Sequence, residues 1–266
     1  MSELPEYELY AIRYATRAAT RAEHFIGGDP HDAPMAMDYY IWVAVHPERT
    51  VVIDTGFNAA VGARRKREFL RCPVESLALV GVDPATVRDV VLTHLHYDHV
   101  GNFDKFPVAD FHLQEPELHY AVGRYMRYDR LARSFEVEDI IGVVRLSYGR
   151  RVRFHNGPAE LAPGITLQPT AGHSAGMQFV RVHTARGWVV VASDTTHFYE
   201  NMDSERPNTS AFHVGEMLEA YDTLRASAPT PGHIIPGHDP LVMERYPAPR
   251  PGLETIVARL DVAPRT

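Results

Sequence analysis

The segment Thr93–His99 concentrates residue types that bind metal ions. Its sequence, THLHYDH, contains three histidines and one aspartate. Just beyond a strand, the alternate residues His94 and His96 can face the same side of the chain, and Asp98 and His99 can then turn toward a second point. Imidazole and carboxylate are ligands for Zn²⁺, and also for Fe, Mn or Co. The segment is therefore predicted to bind metal.

Three further residues of these types follow apolar runs later in the chain. His173 comes after a glycine, Asp194 lies at the end of an apolar run, and His238 follows another glycine. Asp194 could instead cap a helix, and the two histidines could be ordinary loop residues. Their positions at predicted strand ends favour metal binding. Five histidines and two aspartates in total suffice for two ions if one carboxylate bridges them.

These residues together resemble the ligand pattern of the metallo-β-lactamase superfamily. The run His94–His99 matches its HxHxDH motif, and the later Gly-His, Asp and Gly-His occur in the same order. Asp54-Thr55-Gly56 matches an early strand-end DTG, whose aspartate is usually structural. The resemblance extends from about Val51 to His238. It implies one ion on His94, His96 and His173, a second ion on Asp98, His99 and His238, and Asp194 as the bridge.

The elements that must position these ligands alternate between short apolar runs and amphipathic segments, which predicts an α/β fold. The resemblance implies the αβ/βα sandwich of that superfamily, in which helices flank two central mixed β-sheets, as a single domain over residues 1–266. Strands are expected at 7–13, 39–45, 50–53, 89–93, 165–169, 178–183, 188–192 and 234–235. Helices are expected at 60–70, from 83, at 115–131, 137–146 and 215–226, and after the Pro-rich segment 246–252.

Composition narrows the function classes. The 266 residues contain 27 Lys+Arg against 34 Asp+Glu, a net charge of −7, which argues against nucleic-acid binding. No apolar run approaches the roughly 20 residues of a membrane span, and the N-terminal residues show no signal-peptide pattern. A single cysteine, Cys72, excludes an intrachain disulfide and fits a reducing compartment. We expect a cytoplasmic monomer or homodimer that acts on a small molecule without contacting a membrane.

Several segments resemble the N-acyl-homoserine-lactone lactonase branch of the superfamily, namely 54–58, the Arg-rich 64–67, 172–176, 193–194 and 236–240. A metal ion lowers the pKa of bound water to about 7 and so generates hydroxide at neutral pH. The resemblance therefore implies that metal-bound hydroxide, most simply on Zn²⁺, opens a lactone. The alternatives are a hydrolase of the same fold acting on another small ester, cyclic amide, thioester or phosphodiester, a redox di-iron protein, and a binding module without activity.

One position departs from the lactonase pattern. Those enzymes commonly place a tyrosine three residues after the bridging aspartate, where this chain has His197. A histidine can donate the same hydrogen bond or act as an acid, so His197 is predicted to be catalytic beside Asp98 and to contact substrate. The alternative is that His197 is an exposed loop histidine and that Tyr199 contacts the substrate instead. Other predicted substrate-binding residues are Phe25, Met126, Phe198 and Tyr199, with Met35, Met37, Tyr125 and Phe135 as further candidates for the pocket wall.

Overall fold

The structure is a computed structural model that describes residues 4–265. Its strands are β1 Glu8–Arg17, β2 Met37–His46, β3 Arg49–Ile53, β4 Glu68–Phe69, β5 Asp89–Val91, β6 Asp110–Gln114, β7 Val152–His155, β8 Ala159–Ala162, β9 Ile165–Pro169, β10 Gln178–Thr184, β11 Gly187–Ser193, β12 Ile234–Pro236 and β13 Val257–Arg259. Its α-helices are α1 Arg21–His24, α2 Ala59–Arg64, α3 Glu115–Ala121, α4 Asp129–Ala132, α5 Val137–Tyr148, α6 Tyr199–Asp203, α7 Val214–Ser227 and α8 Leu241–Arg245. Within this range no helix has the length and apolar content needed to cross a membrane.

The strands form two mixed sheets. The first has the order β13-β1-β2-β3-β5-β6-β7, with β4 paired to β1, and the second has the order β12-β11-β10-β9-β8. Neighbours from β13 to β3 are antiparallel, whereas β3, β5, β6 and β7 run parallel. In the second sheet, β11 pairs parallel with β12 and the other pairs are antiparallel. The αβ/βα sandwich with two central mixed sheets is confirmed.

Alternating side chains of the central strands explain the layers. In β2, Tyr40 and Trp42 pack between the two sheets, while Tyr39 and Ile41 pack on the opposite face, in the core that also contains residues of α3 and α5. The outer face of the second sheet packs against α7 through residues such as Tyr221. Burying one such large apolar side chain stabilises the fold by roughly 1.5–3 kcal/mol. Both sheets are therefore covered on both faces.

Strand direction brings the predicted ligands together. The parallel strands β3 and β5 end next to each other, so the residues that follow them, Asp54 and the segment 93–101, lie at one edge of the first sheet. The parallel strands β11 and β12 likewise place Asp194 and His238 at one edge of the second sheet. Loops at the carboxyl ends of parallel strands are the usual position for functional groups in α/β folds.

Two predicted helices are longer than the helices that form. The helix expected at 60–70 ends at Arg64, because Lys66 adopts a left-handed conformation (φ 54°) and the chain turns into β4. The helix expected at 115–131 breaks at Gly123 into α3, a 3₁₀ turn and α4. A Cβ at Gly123 would lie 2.6 Å from the His119 carbonyl oxygen, so a close backbone approach requires glycine there.

The remaining differences concern short segments. Asp83 begins a turn, not a helix, because its carboxylate accepts a hydrogen bond from the Ala85 amide and its carbonyl accepts one from Thr86. The last segment forms β13, an edge strand on β1, where a helix was expected. The edge of β1 offers unpaired backbone groups, and pairing with them outweighs the weak helical preference of so short a segment.

Candidate metal centre

Four of the predicted ligands form one buried group. The side chains of His94, His96, His173 and Asp194 each offer an atom that lies within 4.8 Å of the others. The Nδ1 of His96 and the Nε2 of His173 are 2.9 Å apart and face the same point. The Oδ2 of Asp194 lies 3.1 Å from the Nε2 of His173 and 3.8 Å from the Nε2 of His94.

The other three predicted ligands form a second group beside the first. Asp98, His99 and His238 converge within the same 4.8 Å limit. The Nε2 atoms of the two histidines each lie 3.6 Å from the Oδ2 of Asp98. They also lie 3.2 Å and 2.9 Å from the Oδ1 of Asp194. Asp194 therefore presents one carboxylate oxygen to each group.

The hydrogen-bonding of these side chains fits a divalent cation. Among residues 4–265, the buried Nε2 atoms of His94, His99 and His238 and the buried Oδ1 of Asp194 have no hydrogen-bond partner. In two of these rings the other nitrogen, Nδ1, does have a hydrogen-bond partner. His99 Nδ1 lies 2.7 Å from the Asp54 carboxylate, and His238 Nδ1 lies 2.7 Å from the Asp38 carbonyl oxygen. Each unpaired buried polar atom costs about 1–3 kcal/mol. A cation bound by these atoms would remove that cost.

Burial and neighbouring charges shift the pKa values of the proposed ligands in different directions. Burial alone would lower the pKa of His99 and of His238, but the carboxylates of Asp194 and Asp98 raise both above the usual histidine value, so metal binding there would displace protons. Burial lowers the pKa of His94 and of His96 well below the usual histidine value, so both are neutral. Burial alone would raise the pKa of Asp194, but the imidazoles around it, His238 and His197 above all, lower it well below its usual value. Neutral imidazole and ionised carboxylate are the forms that coordinate metals.

Two strands end in residues with left-handed backbone: β3 is followed by Asp54, and β11 ends at Ser193, which directly precedes Asp194. Asp54 and Ser193 both have positive φ angles, 63° and 46°, which few residues other than glycine adopt. Asp54 accepts hydrogen bonds from the Thr93 amide (2.8 Å) and hydroxyl (2.8 Å), which ties β3 to the histidine segment. A Cβ at Gly237 would lie 2.7 Å from the Oδ1 of Asp194. Glycine is therefore required directly before His238.

Two supporting residues were not predicted from the sequence. The fully buried carboxylate of Glu117 accepts hydrogen bonds from the Leu95 and Gly176 amides, both at 3.0 Å, and so joins the two loops that contain the first ligand group. The Tyr14 hydroxyl donates to the Asp98 carbonyl oxygen at 2.7 Å. Glu117 looks like an ordinary acidic residue in the first turn of a helix, so no local pattern distinguishes it.

A cleft of about 520 Å³ opens at the ligand cluster, and His197 lies on its wall. His197 is buried, and its Nε2 is 2.9 Å from the Oδ2 of Asp194, so it is not an exposed loop histidine. The predicted pocket residues Phe25 and Phe198 are instead completely buried, and Tyr199 packs in the core between the sheets. Met126 packs against the other core. These four residues are not among those that line the cleft, because burying large apolar side chains against the cores stabilises the fold.

The sandwich and the paired groups of His and Asp at its strand ends define a class of metal-dependent hydrolases. The chain belongs to the metallo-β-lactamase superfamily, whose family model matches residues 36–238. Its sequence is 24% identical over 220 residues to a Mycobacterium tuberculosis protein described as a "probable metallo-hydrolase", covering 76% of this chain and 71% of that protein. It is 30% identical over 137 residues to an N-acyl homoserine lactonase of Bacillus thuringiensis, covering 50% of this chain and 48% of the lactonase.

Solved structures share the fold over almost the whole chain. A quorum-quenching N-acyl homoserine lactone lactonase superposes with a TM-score of 0.73 at 22% identity, covering 90% of this chain and 94% of that one. A Staphylococcus aureus protein described as a "probable metal-dependent hydrolase" superposes with a TM-score of 0.74 at 14% identity, covering 92% of each chain. These similarities concern the fold.

Proposed function

We propose that this protein is a hydrolase that uses two divalent metal ions to open a lactone, a cyclic ester. The main support is the position of Asp194, whose two oxygens face His173 at 3.1 Å and His238 at 2.9 Å. One carboxylate between two sets of donors suits a pair of ions that share a bridging ligand. The first ion would be held by His94, His96 and His173, the second by Asp98, His99 and His238, and Asp194 would contact both.

When bound, such a pair of ions would lower the pKa of water to supply a nucleophile at neutral pH and would polarise the substrate carbonyl. The donors are nitrogen and oxygen atoms, which suit Zn²⁺ and also Fe, Mn or Co. Asp98 lies on the cleft wall, and we assign it the transfer of a proton to the leaving oxygen. The hydrogen bond from Tyr14 to its carbonyl oxygen fixes its backbone for that role.

His197 is a further polar residue of the cleft wall and lies close to the proposed ligands. Its ring centroid lies 5.1 Å from that of His173 and 4.8 Å from that of His238, so the imidazole sits between the two ligand groups. Its one N–H, on Nε2, donates to the Asp194 carboxylate at 2.9 Å, and we assign the same N–H a hydrogen bond to the carbonyl or leaving oxygen of the substrate, for which the ring must turn away from Asp194. Donors aimed at developing negative charge contribute a few kcal/mol to catalysis in a site that excludes water.

Two observations favour a lactone over the other possible substrates. Lactonases of the N-acyl homoserine lactone class share the fold over 90% of this chain, and His197 occupies a position where a hydrogen-bond donor can contact a cyclic ester. A small cyclic amide, a thioester or another ester is the alternative substrate for the same site.

Metal analysis combined with a substrate panel tests the proposal. We expect elemental analysis to find about two divalent ions per chain, and acid release to show hydrolysis of small lactones ahead of thioesters and β-lactams. The His94→Ala variant should lose metal and activity, whereas His119→Ala, a change at an exposed histidine outside the cluster, should keep both. A metal-free wild-type protein with unchanged activity would contradict the proposal, and so would preference for a thioester.

A further inference from the structure

The cleft contains an unusual number of arginines for a protein of net negative charge. Four arginine side chains line it, those of Arg17, Arg65, Arg67 and Arg133. Apart from the proposed ligands Asp98 and Asp194, Glu23 is the one acidic residue among the lining residues. The chain as a whole has a net charge of −7, so positive charge is concentrated where substrate must enter. Charge of one sign in a cleft raises the local concentration of ligands of the opposite sign.

Two of the four guanidinium groups are already neutralised within the protein. Arg17 forms an ion pair with Glu23 at 3.2 Å. Arg65 forms one with Glu136 at 2.7 Å and also donates to two backbone carbonyl oxygens. Their charges and donors are used to hold the cleft wall together. They leave little capacity for a ligand.

Arg67 differs because it is held in place without a carboxylate. Its Nε donates to the Tyr97 hydroxyl at 3.0 Å and its Nη1 donates to the Arg65 carbonyl oxygen at 2.8 Å. Among the residues that the structure describes, no carboxylate oxygen lies within 4 Å of its guanidinium, and its Nη2 donates no hydrogen bond. Arg67 is half-buried. Burial by itself would lower the pKa of Arg67, but Tyr97, Tyr39 and Asp98 raise it overall, so the guanidinium stays charged without a carboxylate in direct contact among residues 4–265.

The position of Arg67 connects this free charge to the reaction site. Tyr97, its hydrogen-bond partner, directly precedes Asp98, and all three residues line the same cleft. Arg133, an exposed residue of the same wall, also has no ion pair within the described part of the chain. Met37 is the one aliphatic residue among the lining residues. The rings of Tyr39 and Tyr97 also line the cleft, so apolar parts of a substrate can pack there while an anionic substituent meets an oriented guanidinium.

We infer that the substrate carries an anionic group, a carboxylate or a phosphate, that binds Arg67 while its ester bond lies at the ligand cluster. This inference rests on the proposed hydrolysis of a lactone and specifies the class of lactone. Because Nε and Nη1 already donate within the protein, the Nη2 group of Arg67 is left to donate to a carboxylate or phosphate. Such charge-assisted hydrogen bonds are roughly twice as strong as neutral ones. Arg67 is therefore a specificity-determining residue.

The test compares matched substrates on the metal-loaded enzyme. The probes are a γ-butyrolactone with a ring carboxylate, the same lactone with a carboxamide in its place, and the same lactone with a phosphate ester substituent. We expect kcat/KM for an anionic lactone to exceed that for the carboxamide by about 10- to 100-fold, as expected for a charge-assisted hydrogen bond. The preference should shrink in 1 M salt, where the Debye length is about 3 Å. The better of the two anionic probes identifies the anion.

Variants assign the preference to Arg67. Arg67→Gln should reduce the ratio of the two kcat/KM values to near one, and Arg67→Lys should retain part of it. The matched control Arg64→Gln removes an exposed arginine that pairs with Glu136 outside the cleft, and it should leave the ratio and the turnover unchanged. Equal rates on charged and neutral lactones in the wild type would overturn the inference. A ratio that survives in folded Arg67→Gln would overturn it too.

A binding measurement separates this inference from the proposed reaction. Tetrahydrofuran-2-carboxylate and its carboxamide resemble the two lactones but contain no ester, so calorimetric titration reports binding alone. We expect the carboxylate to bind about 10-fold or more tightly in the wild type and to lose that advantage in Arg67→Gln. If no lactone is hydrolysed but this difference is found, the proposed function fails and the anion site stands. If lactones are hydrolysed but the difference is absent, the anion site fails alone.

Discussion

Replacing Asp54 with Asn should weaken metal binding at the second ligand group while leaving the fold intact. The Asp54 carboxylate accepts a hydrogen bond from the Thr93 amide through Oδ1, and its Oδ2 lies 2.7 Å from the Nδ1 of His99. This contact keeps the proton on Nδ1 and leaves the Nε2 lone pair free for a metal. Asparagine is nearly isosteric and tolerates the left-handed backbone at this position (φ 63°).

The size of the effect follows from the same contacts. To keep accepting from the Thr93 amide, the new side chain must direct its NH₂ group toward His99. Either two N–H donors then oppose each other at 2.7 Å, or the ring changes tautomer and its Nε2 carries the proton. Leaving a buried donor unpaired costs about 1–3 kcal/mol. We expect the affinity for the second ion to fall by about 10- to 100-fold, the range found when residues that orient metal ligands are changed.

The assay is competition with a chelator, which gives the affinity of each ion, combined with elemental analysis and thermal unfolding. The matched control is Asp89→Asn, because the Oδ1 of Asp89 lies 3.2 Å from a nitrogen of His112, an Asp–His contact remote from the ligand cluster. That variant should bind both ions normally. Unchanged affinity for the second ion in folded Asp54→Asn would refute the tautomer argument, and so would an equal loss in Asp89→Asn.

Three further outcomes are expected. Asp98→Asn should reduce turnover by about 10²–10⁴-fold with little change in unfolding free energy, since it removes a proton-transfer group; near-wild-type turnover would rule out that role. His197→Ala should reduce turnover by about 10²–10³-fold with both metals retained, and His197→Tyr should keep more activity than His197→Ala; normal turnover of the alanine variant would exclude a contact with substrate. Burial raises the pKa of Asp139 to about 7, above its value in the unfolded chain, so folding favours the protonated carboxyl and ionisation destabilises the fold as pH rises from about 4 to 7. In urea unfolding, Asp139→Asn should therefore stabilise the protein by about 2–3 kcal/mol at pH 8 and by little at pH 4. The gain is reduced because the helix dipole stabilises a negative charge at this first-turn position, and asparagine lacks that charge. A gain of equal size at both pH values would contradict this.

Local sequence patterns predicted the strands better than the helices. Strands such as β2 and β11 are runs of apolar and β-branched residues, and that pattern is sufficient because both of their faces are buried. The segment 115–131 has apolar residues at helical spacing, yet it breaks at Gly123. A close approach to the His119 carbonyl oxygen decides this, and it depends on how the segment packs.

The grouping of the seven proposed metal ligands could be predicted because their spacing along the chain limits where their side chains can lie. His94, His96, Asp98 and His99 lie so close in the chain that a single loop brings them together, and the other three ligands follow strands whose direction an α/β fold dictates. The residues that line the cleft could not be predicted in this way. The aromatic residues expected there, such as Phe198, are buried instead, because apolar composition predicts burial without telling core from cleft.

What the amino-acid order alone established is the set of metal-binding residue types, their succession along the chain and the family to which that succession belongs. Tertiary structure decided which oxygen of Asp194 faces which group, and it brought Glu117 and Tyr14 to the ligand loops from distant segments. It also placed Arg67 beside the cleft with no carboxylate partner in the described part of the chain. The reason is that spacing along the chain governs geometry only over a few residues. Contacts between remote segments depend on sheet register and on the packing of both layers.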